Sequence, residues 1–553
     1  MRGRRFGSCS RPMNAPDQPV PSPSAWSDRE RPWSDPTTRK LLLFNLVVTL
    51  ITAWNSETFF HPDEHYQIIE FVGLKLGFTR PDELTWEFVE RARPFMQPAL
   101  YYLLLKPLVA LGLEDRFVMI FLMRLSSCLL SFAALVSLLQ TSAPWVSHAQ
   151  ANRWRIRWLT LAGFIPYIAV RATSENLATS CLLFALTLIV RARPAEASWP
   201  AALRLPAARA FAAGLWLGMC FEFRYQMAFS ILGILAWLAF VARDLRAMSW
   251  VCLGGLSPVA LALFVDSWGY GELAFPPWNY LRTNILEGVA AQYGTKWFFG
   301  YLHITLANLF APVVILAIVG LTVCWLRRPK HLITWTSVPF IFAHSAISHK
   351  EERYMFPMFL LALVGSAMGF EEGTSASAPR LTRMAESVAT FFRRFQRTWL
   401  YRALGVWNML GMALLALYPL GWRPHYAFAH WAQDLPAPIH FAVDDEGLLP
   451  PYPFLRKHPW HVHVLAPGQR ADSIDANGAQ VYWLRREPFT AFDAARLGVS
   501  DQLAYTEFPG AQLGFLRAHL WPLLGDLRTR GVARGFQSKR ATWISAYPTK
   551  PTR

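Results

Sequence analysis

Two short polar stretches carry most of the residues in this chain that could do chemistry. The first reads Phe59-Phe60-His61-Pro62-Asp63-Glu64-His65-Tyr66-Gln67, with two adjacent carboxylates between two histidines directly after an apolar run. Charges beside a membrane-length segment are costly and point to a task. Three readings compete for them. They form a solvated loop, they chelate a cation through His61, Asp63 and His65 at spacing two, or one carboxylate acts as a base with its neighbours holding it. The second stretch, Ser348-His349-Lys350-Glu351-Glu352-Arg353-Tyr354, is a tight turn between two apolar runs. His349, Lys350 and Arg353 supply cationic donors suited to a phosphate. Glu351 and Glu352 can orient those cations and weaken their mutual repulsion. A turn this short needs little charge for solubility, so phosphate binding is the favoured reading. Two smaller groups, Arg171 with Ser174 and Glu175, and Glu222 with Arg224, also stand at the ends of apolar segments.

The rest of the chain must position these residues, and its composition says how. Of 553 residues, 53% are hydrophobic and only 16% charged, against roughly 25% charged in an ordinary soluble domain. With a mean hydropathy of +0.21 and 24 tryptophans, disorder, collagen and a disulfide scaffold are excluded. Cys128, Cys181, Cys220, Cys252 and Cys324 lie in apolar runs, Cys9 lies in the polar N-terminus, and none forms a CxxC pair. They read as small packing residues. The net charge of +17 would suggest nucleic acid in a soluble protein, but in a membrane protein it marks cytoplasmic loops.

Eleven apolar segments approach the length needed to cross a bilayer, near 41–58, 117–140, 157–171, 176–191, 209–223, 226–242, 249–265, 303–326, 331–347, 354–370 and 403–420. Placing Arg39 and Lys40 in the cytoplasm puts every short basic loop on the same side: Arg153/Arg155/Arg157, Arg191/Arg193/Arg204, Arg243/Arg246, Arg327/Arg328/Lys330 and the run Arg380 to Arg402. This alternation requires that 95–113, with its two prolines and a lysine, be an interfacial or re-entrant helix on the outer side. Both polar motifs then share the outer face with the loop 266–302, whose Trp268, Trp278 and Trp297 suit interfacial anchors. Three regions are expected: a disordered basic segment 1–40, a membrane region 41–420, and a translocated soluble αβ domain 421–553 with strand-like runs HFAV, VHVLA and QVYWL.

The motifs also resemble those of a known family. HPDEHYQ is similar to the HPDE-x-x-Q element of the lipid-linked mannosyltransferases of asparagine glycosylation and GPI-anchor assembly, glycosyltransferase family 22. Leu84-Thr85-Trp86-Glu87-Phe88 with Arg91 resembles its LTWE(W/F)-x-x-x-R continuation, and SHKEERYMFP resembles its HKEERF-x-x-P element. Asp266, Gly271, Asn279, Asn284, Tyr293, Gly294 and Trp297 match its D-x-x-x-Y-G…N…N…YG-x-x-x-W loop, and the likeness runs over roughly residues 41–420. The chain departs from the GPI enzymes at Ala172-Thr173-Ser174-Glu175-Asn176, where they carry Thr-Leu-x-Asn after the arginine, and its tail lacks their short His/Cys elements. A bacterial relative acting on another lipid or polymer therefore stays open.

The resemblance implies a polytopic α-helical membrane protein of GT-C fold, in the endoplasmic reticulum or a bacterial inner membrane. Its site would lie on the lumenal or periplasmic side. It further implies inverting mannosyl transfer from dolichyl- or polyprenyl-phosphate-mannose to a glycan or glycolipid, with no cofactor and no metal. Membrane lipids are expected partners and nucleic acid is not. Asp63 is the first choice of base, with Glu64 either a positioning group or the base itself. His349, Lys350 and Arg353 would receive the phosphate, with Arg224 and Arg171 as second candidates. His61, His65, Gln67, Trp86, Glu87, Arg91, Glu351, Tyr293 and Trp297 are expected to position groups or bind substrate. The rival class is a transporter or flippase for a lipid-linked sugar, which would need no base; the sequence has no internal repeat of the kind transporters often carry.

Overall fold

The protein is described here by a computed structural model, covering residues 33–56, 59–146, 148–190, 204–306, 310–371, 380–417, 423–443, 452–466, 469–477, 479–485, 505–506 and 545–548. The described residues are mostly helical, and those within each of the eleven apolar segments are largely helix; segment 303–326 falls on two helices, Gly300–Leu306 and Ala311–Arg327. Among the described residues, three helices, Arg116–Thr141, Leu245–Tyr270 and Trp399–Leu417, are long and apolar enough to cross a membrane. Large apolar side chains stand exposed along them and along Pro36–Asn55, among them Phe264, Leu410 and Trp54. Such a surface is a liability in water and ordinary in lipid.

Local sequence sets where these helices start. Asp35 caps Pro36–Asn55, its carboxylate accepting the Thr38 N–H at 2.8 Å, with Pro36 in the first helical position. The first helix therefore begins inside the segment expected to be disordered; residues 1–32 of that segment lie outside the described residues. Asp115 caps Arg116–Thr141 by accepting the N–H groups of Phe117 and Val118, both at 2.9 Å. Leu245–Tyr270 ends at Gly271, which adopts φ +77°, a left-handed conformation that favours glycine.

Small residues let the helices approach closely. A Cβ on Gly214 would stand 2.2 Å from the Val251 carbonyl oxygen, and one on Gly254 would stand 2.1 Å from that of Phe211. The helices Ala207–Phe223 and Leu245–Tyr270 thus touch backbone to backbone, as membrane helices with small-residue faces do.

The expected segment 157–171 is not one helix. Ala149–Leu161 and Phe164–Ala169 are separated at Ala162 and Gly163. The Asn408 side chain closes the break: its Oδ1 accepts the Gly163 N–H at 2.8 Å and its Nδ2 donates to the Leu161 carbonyl at 2.6 Å. A helix can break in an apolar surround only where its freed polar groups are satisfied in this way. Segment 95–113 is the helix Met96–Ala110, with Pro107 inside it. The stretch 266–302 is largely short helical pieces, and Asp266 belongs to the end of Leu245–Tyr270 rather than to a loop.

In the tail, the strand-like runs form β1 (Ile439–Val443), β2 (Trp460–Val464) and β3 (Val481–Arg485), joined by β4 (Tyr505–Thr506) and β5 (Ser545–Pro548) in the order β2-β1-β3-β5-β4. β1 runs parallel to β2 and β3, while β5 is antiparallel to β3 and β4. This region packs on the segment that follows the first polar stretch: the Phe454 N–H donates to Glu70 at 3.1 Å, and Arg456 pairs with Glu83 at 3.2 Å.

Candidate active site

Pro62 and the two carboxylates after it open a helix. The His61 Nδ1 accepts the Asp63 N–H at 3.2 Å, capping this turn. The Nε2 faces Glu351 at 3.5 Å. A π-helical stretch, His65–Ile69, follows at once, a local widening frequent at functional sites.

Adjacent positions on such a turn point in different directions, and here the two carboxylates meet different partners. Asp63 is half-buried, and its Oδ2 lies 2.5 Å from the Arg353 guanidinium and 3.9 Å from Arg93. Burial alone would raise its pKa; Arg353, then His61 and Arg93, outweigh that and hold the carboxyl well below its usual range. Glu64 turns into the protein, where it accepts the N–H groups of Phe60 at 3.0 Å and Ala172 at 2.7 Å. Its oxygens staple the first polar stretch to the 171–173 segment.

The second motif closes around Asp63. Arg353 is buried, donates from Nε to Glu351 at 2.5 Å, and faces Glu175 at 3.5 Å. Arg224 meets the same Glu175 oxygen at 3.1 Å, reaches Ser174 at 3.3 Å, and lies 4.8 Å over the Tyr354 ring. Burial would raise Glu351, but Arg353 and the His349 hydrogen bond bring it far below its ordinary value. His349 Nδ1 faces the Gly294 carbonyl at 2.8 Å and its Nε2 faces Glu351 at 3.0 Å. Both ring nitrogens thus oppose acceptors. The bond to Glu351, and behind it the Gly294 carbonyl, raise the imidazole pKa despite burial. Lys350 is buried, with its ammonium on the carbonyls of Ile347 and Lys296; burial and the nearby Lys296 lower its pKa.

The other expected residues divide by position. Gln67 donates to Glu87 at 3.0 Å, and Glu87 stands 3.8 Å from Arg93, so this pair backs the Asp63 cluster. Tyr293, exposed, stands with its ring 6.3 Å from that of His349. Trp297 is exposed and packs on Phe299 at 5.2 Å. Trp86 is half-buried at the start of the helix Trp86–Val89. His65 turns away to Tyr426 at 2.5 Å and Glu70 at 2.6 Å, so His61, Asp63 and His65 do not converge on a cation. Among the described residues no group of three or more metal-ligating side chains is assembled. Arg171 is fully buried, lies 4.1 Å over the Tyr167 ring and donates to Ser56 at 3.3 Å, a packing position. Arg91 adopts φ +52° and donates to Glu272 at 2.6 Å.

Arg93, rather than Arg91, therefore reaches Asp63. The sequence Arg91-Ala92-Arg93 holds no signal for this, because the left-handed residue that decides it is not a glycine. Glu175, which joins Arg224 to Arg353, was detectable as a carboxylate opening an apolar run, but its bridging role was not.

Residues 40–419 match the model of the Alg9-like mannosyltransferase family. Over 369 residues the chain is 26% identical to "Mannosyltransferase APTG1" of Arabidopsis thaliana, covering 62% of this chain and 61% of that one. It is 26% identical over 347 residues to "GPI alpha-1,2-mannosyltransferase 3" of Mus musculus, covering 59% and 57%. The chain thus spans about three fifths of the length of these curated relatives. Among solved structures, ArnT from Cupriavidus metallidurans bound to undecaprenyl phosphate aligns with 84% of this chain and 95% of its own, at 14% identity and a TM-score of 0.46.

Proposed function

Because the chain belongs to the Alg9-like mannosyltransferase family, we propose that it is an inverting mannosyltransferase. It moves mannose from a polyprenyl- or dolichyl-phosphate to a glycan or glycolipid of the GPI-precursor kind, at the lumenal or periplasmic face. The helical chain, with helix at each of eleven apolar segments, supports a GT-C arrangement. The observation that carries the chemistry is the Asp63–Arg353 pair, set among Glu175, Glu351 and Arg224.

The acceptor hydroxyl gives its proton to Asp63 Oδ2 as its oxygen bonds to the anomeric carbon. The bond from that carbon to the phosphate oxygen breaks, and the electron pair leaves with the phosphate. Arg353, Arg224 and protonated His349 receive that growing charge. At rest Asp63 is a weak base, because Arg353 holds it ionised. A donor phosphate that engages Arg353 weakens this hold and brings a negative charge of its own, and both effects raise the basicity of Asp63. Glu64 keeps the turn in place and takes no proton. One base and no covalent nucleophile give a single displacement, with inversion at the anomeric carbon.

The test is to reconstitute the protein with labelled lipid-phosphate-mannose and a mannosylated acceptor. The expected product is acceptor carrying the labelled mannose, with the anomeric configuration of that mannose inverted relative to the donor. Label that crosses the bilayer without joining the acceptor would replace this reading with transport.

A further inference from the structure

The helix Arg380–Phe395 joins two apolar helices, Phe356–Gly369 and Trp399–Leu417, and is unlike either. Its side chains divide among three faces at helical spacing. Ala385 and Ala389 are buried, and Phe392 stacks on Phe370 at 4.6 Å, so this face packs on the bundle. A second face presents Leu381, Met384, Val388 and Phe391, which are 62%, 58%, 37% and 62% exposed. The third carries the exposed Arg383, Ser387 and Arg394. The helix is also held rigidly: Glu386 pairs with Arg393 at 2.6 Å and with Arg327 at 3.2 Å.

We propose that this helix lies in the headgroup layer of an anionic leaflet and binds it. Its second face enters the acyl edge, and Arg383 and Arg394 meet lipid phosphates. The exposed apolar stripe runs on into Trp399 and Leu400, the start of a membrane-length helix, so lipid is its continuous neighbour. The flanking charge has one sign on the outward faces, extended by the exposed Arg397 and Arg402, and complements an anionic surface. A soluble protein partner would have to cover an apolar face that is continuous with the start of a membrane-length helix.

The proposal rests on the chain being embedded in a membrane, and its test separates the two. In full-length protein carrying Cys9→Ser and Cys252→Ser, nitroxides are placed at Met384→Cys, Ser387→Cys, Phe391→Cys and Leu410→Cys in turn. They are read in phosphatidylcholine vesicles with phosphatidylglycerol. Leu410, on Trp399–Leu417, reports the bilayer itself; access of a water-soluble nickel complex there would undo the embedding. With Leu410 lipid-exposed, positions 384 and 391 are expected to be open to oxygen and closed to nickel, with Ser387 open to nickel. Nickel access at 384 and 391, or closure to both reagents as under a protein partner, would overturn the proposal. A second arm measures the thermal transition with and without phosphatidylglycerol. The wild type is expected to gain stability from the anionic lipid, and Arg383→Gln/Arg394→Gln to lose most of that gain. Each lost arginine should weaken the lipid's apparent affinity about fivefold. An equal gain in both proteins, or none in the wild type, would refute the anionic contact.

Discussion

Asp63 Oδ2 and Arg353 Nη2 meet at 2.5 Å across 290 positions of the chain. The contact joins the two polar motifs into one cluster and holds the Asp63 carboxyl well below its usual range. Replacing Asp63 by Asn keeps the size and one hydrogen-bond acceptor but removes the carboxylate proposed as the base. Turnover is expected to fall by about 10² to 10⁴, with donor binding retained, measured by initial rates beside equilibrium binding of the lipid donor. Full activity in Asp63→Asn would remove the assignment.

The neighbouring acid should behave differently. Glu64 accepts two backbone N–H groups, whereas Asp63 faces Arg353 and Arg93. Glu64→Gln is therefore expected to lower the thermal transition while leaving kcat within about tenfold of wild type, since a lost buried acceptor costs on the order of 1–3 kcal/mol. A kcat as low as that of Asp63→Asn, in protein of unchanged stability, would reverse the two roles.

Arg353 bonds Asp63 and Glu351 and faces Glu175, which a planar fork can do and a single ammonium cannot. Arg353→Lys should keep the charge and still lose about 10² to 10³ in kcat. Steady-state kinetics on both substrates provide the check, and near-normal turnover would mean that charge alone suffices.

His349 gives the site a dependence on pH. Its bond to Glu351 and the Gly294 carbonyl raise its folded-state pKa above the ordinary value of 6.5. Protonated histidine thus stabilises the fold fully below about pH 6.5, and this contribution disappears as pH rises through the folded-state value. The stability difference between wild type and His349→Gln should be largest on the acid side and shrink on the alkaline side. Thermal unfolding on both sides of neutrality measures it; a difference that grows with pH would contradict the imidazolium.

Both motifs were legible in the sequence because charge between apolar runs stands out, and the helices were legible because burial in lipid demands long apolar runs. What was hidden depends on direction and on distant contact. Nothing in the adjacent pair Asp63-Glu64 says which side chain faces the cations; the cap from His61 and the turn it starts decide that. The inward turn of His65 depends on Tyr426, 361 positions away, and no local pattern announces such a neighbour. The same holds for the break at Gly163, since its compensating asparagine lies in the last apolar helix.

That break bears on how the protein is made. Gly163 leaves the ribosome 245 residues before Asn408, its hydrogen-bond partner. Throughout the interval the helix ends at Leu161 and Gly163 lack that partner, at a cost of about 2–7 kcal/mol for each polar group left bare in an apolar surround. Chains halted after residue 398 should therefore be degraded faster than chains halted after 417, and Asn408→Leu should be short-lived at full length. Pulse-chase labelling compares them, and equal lifetimes would count against the idea. On this expectation, a bond that the early helices need is completed only when a side chain from a much later helix arrives.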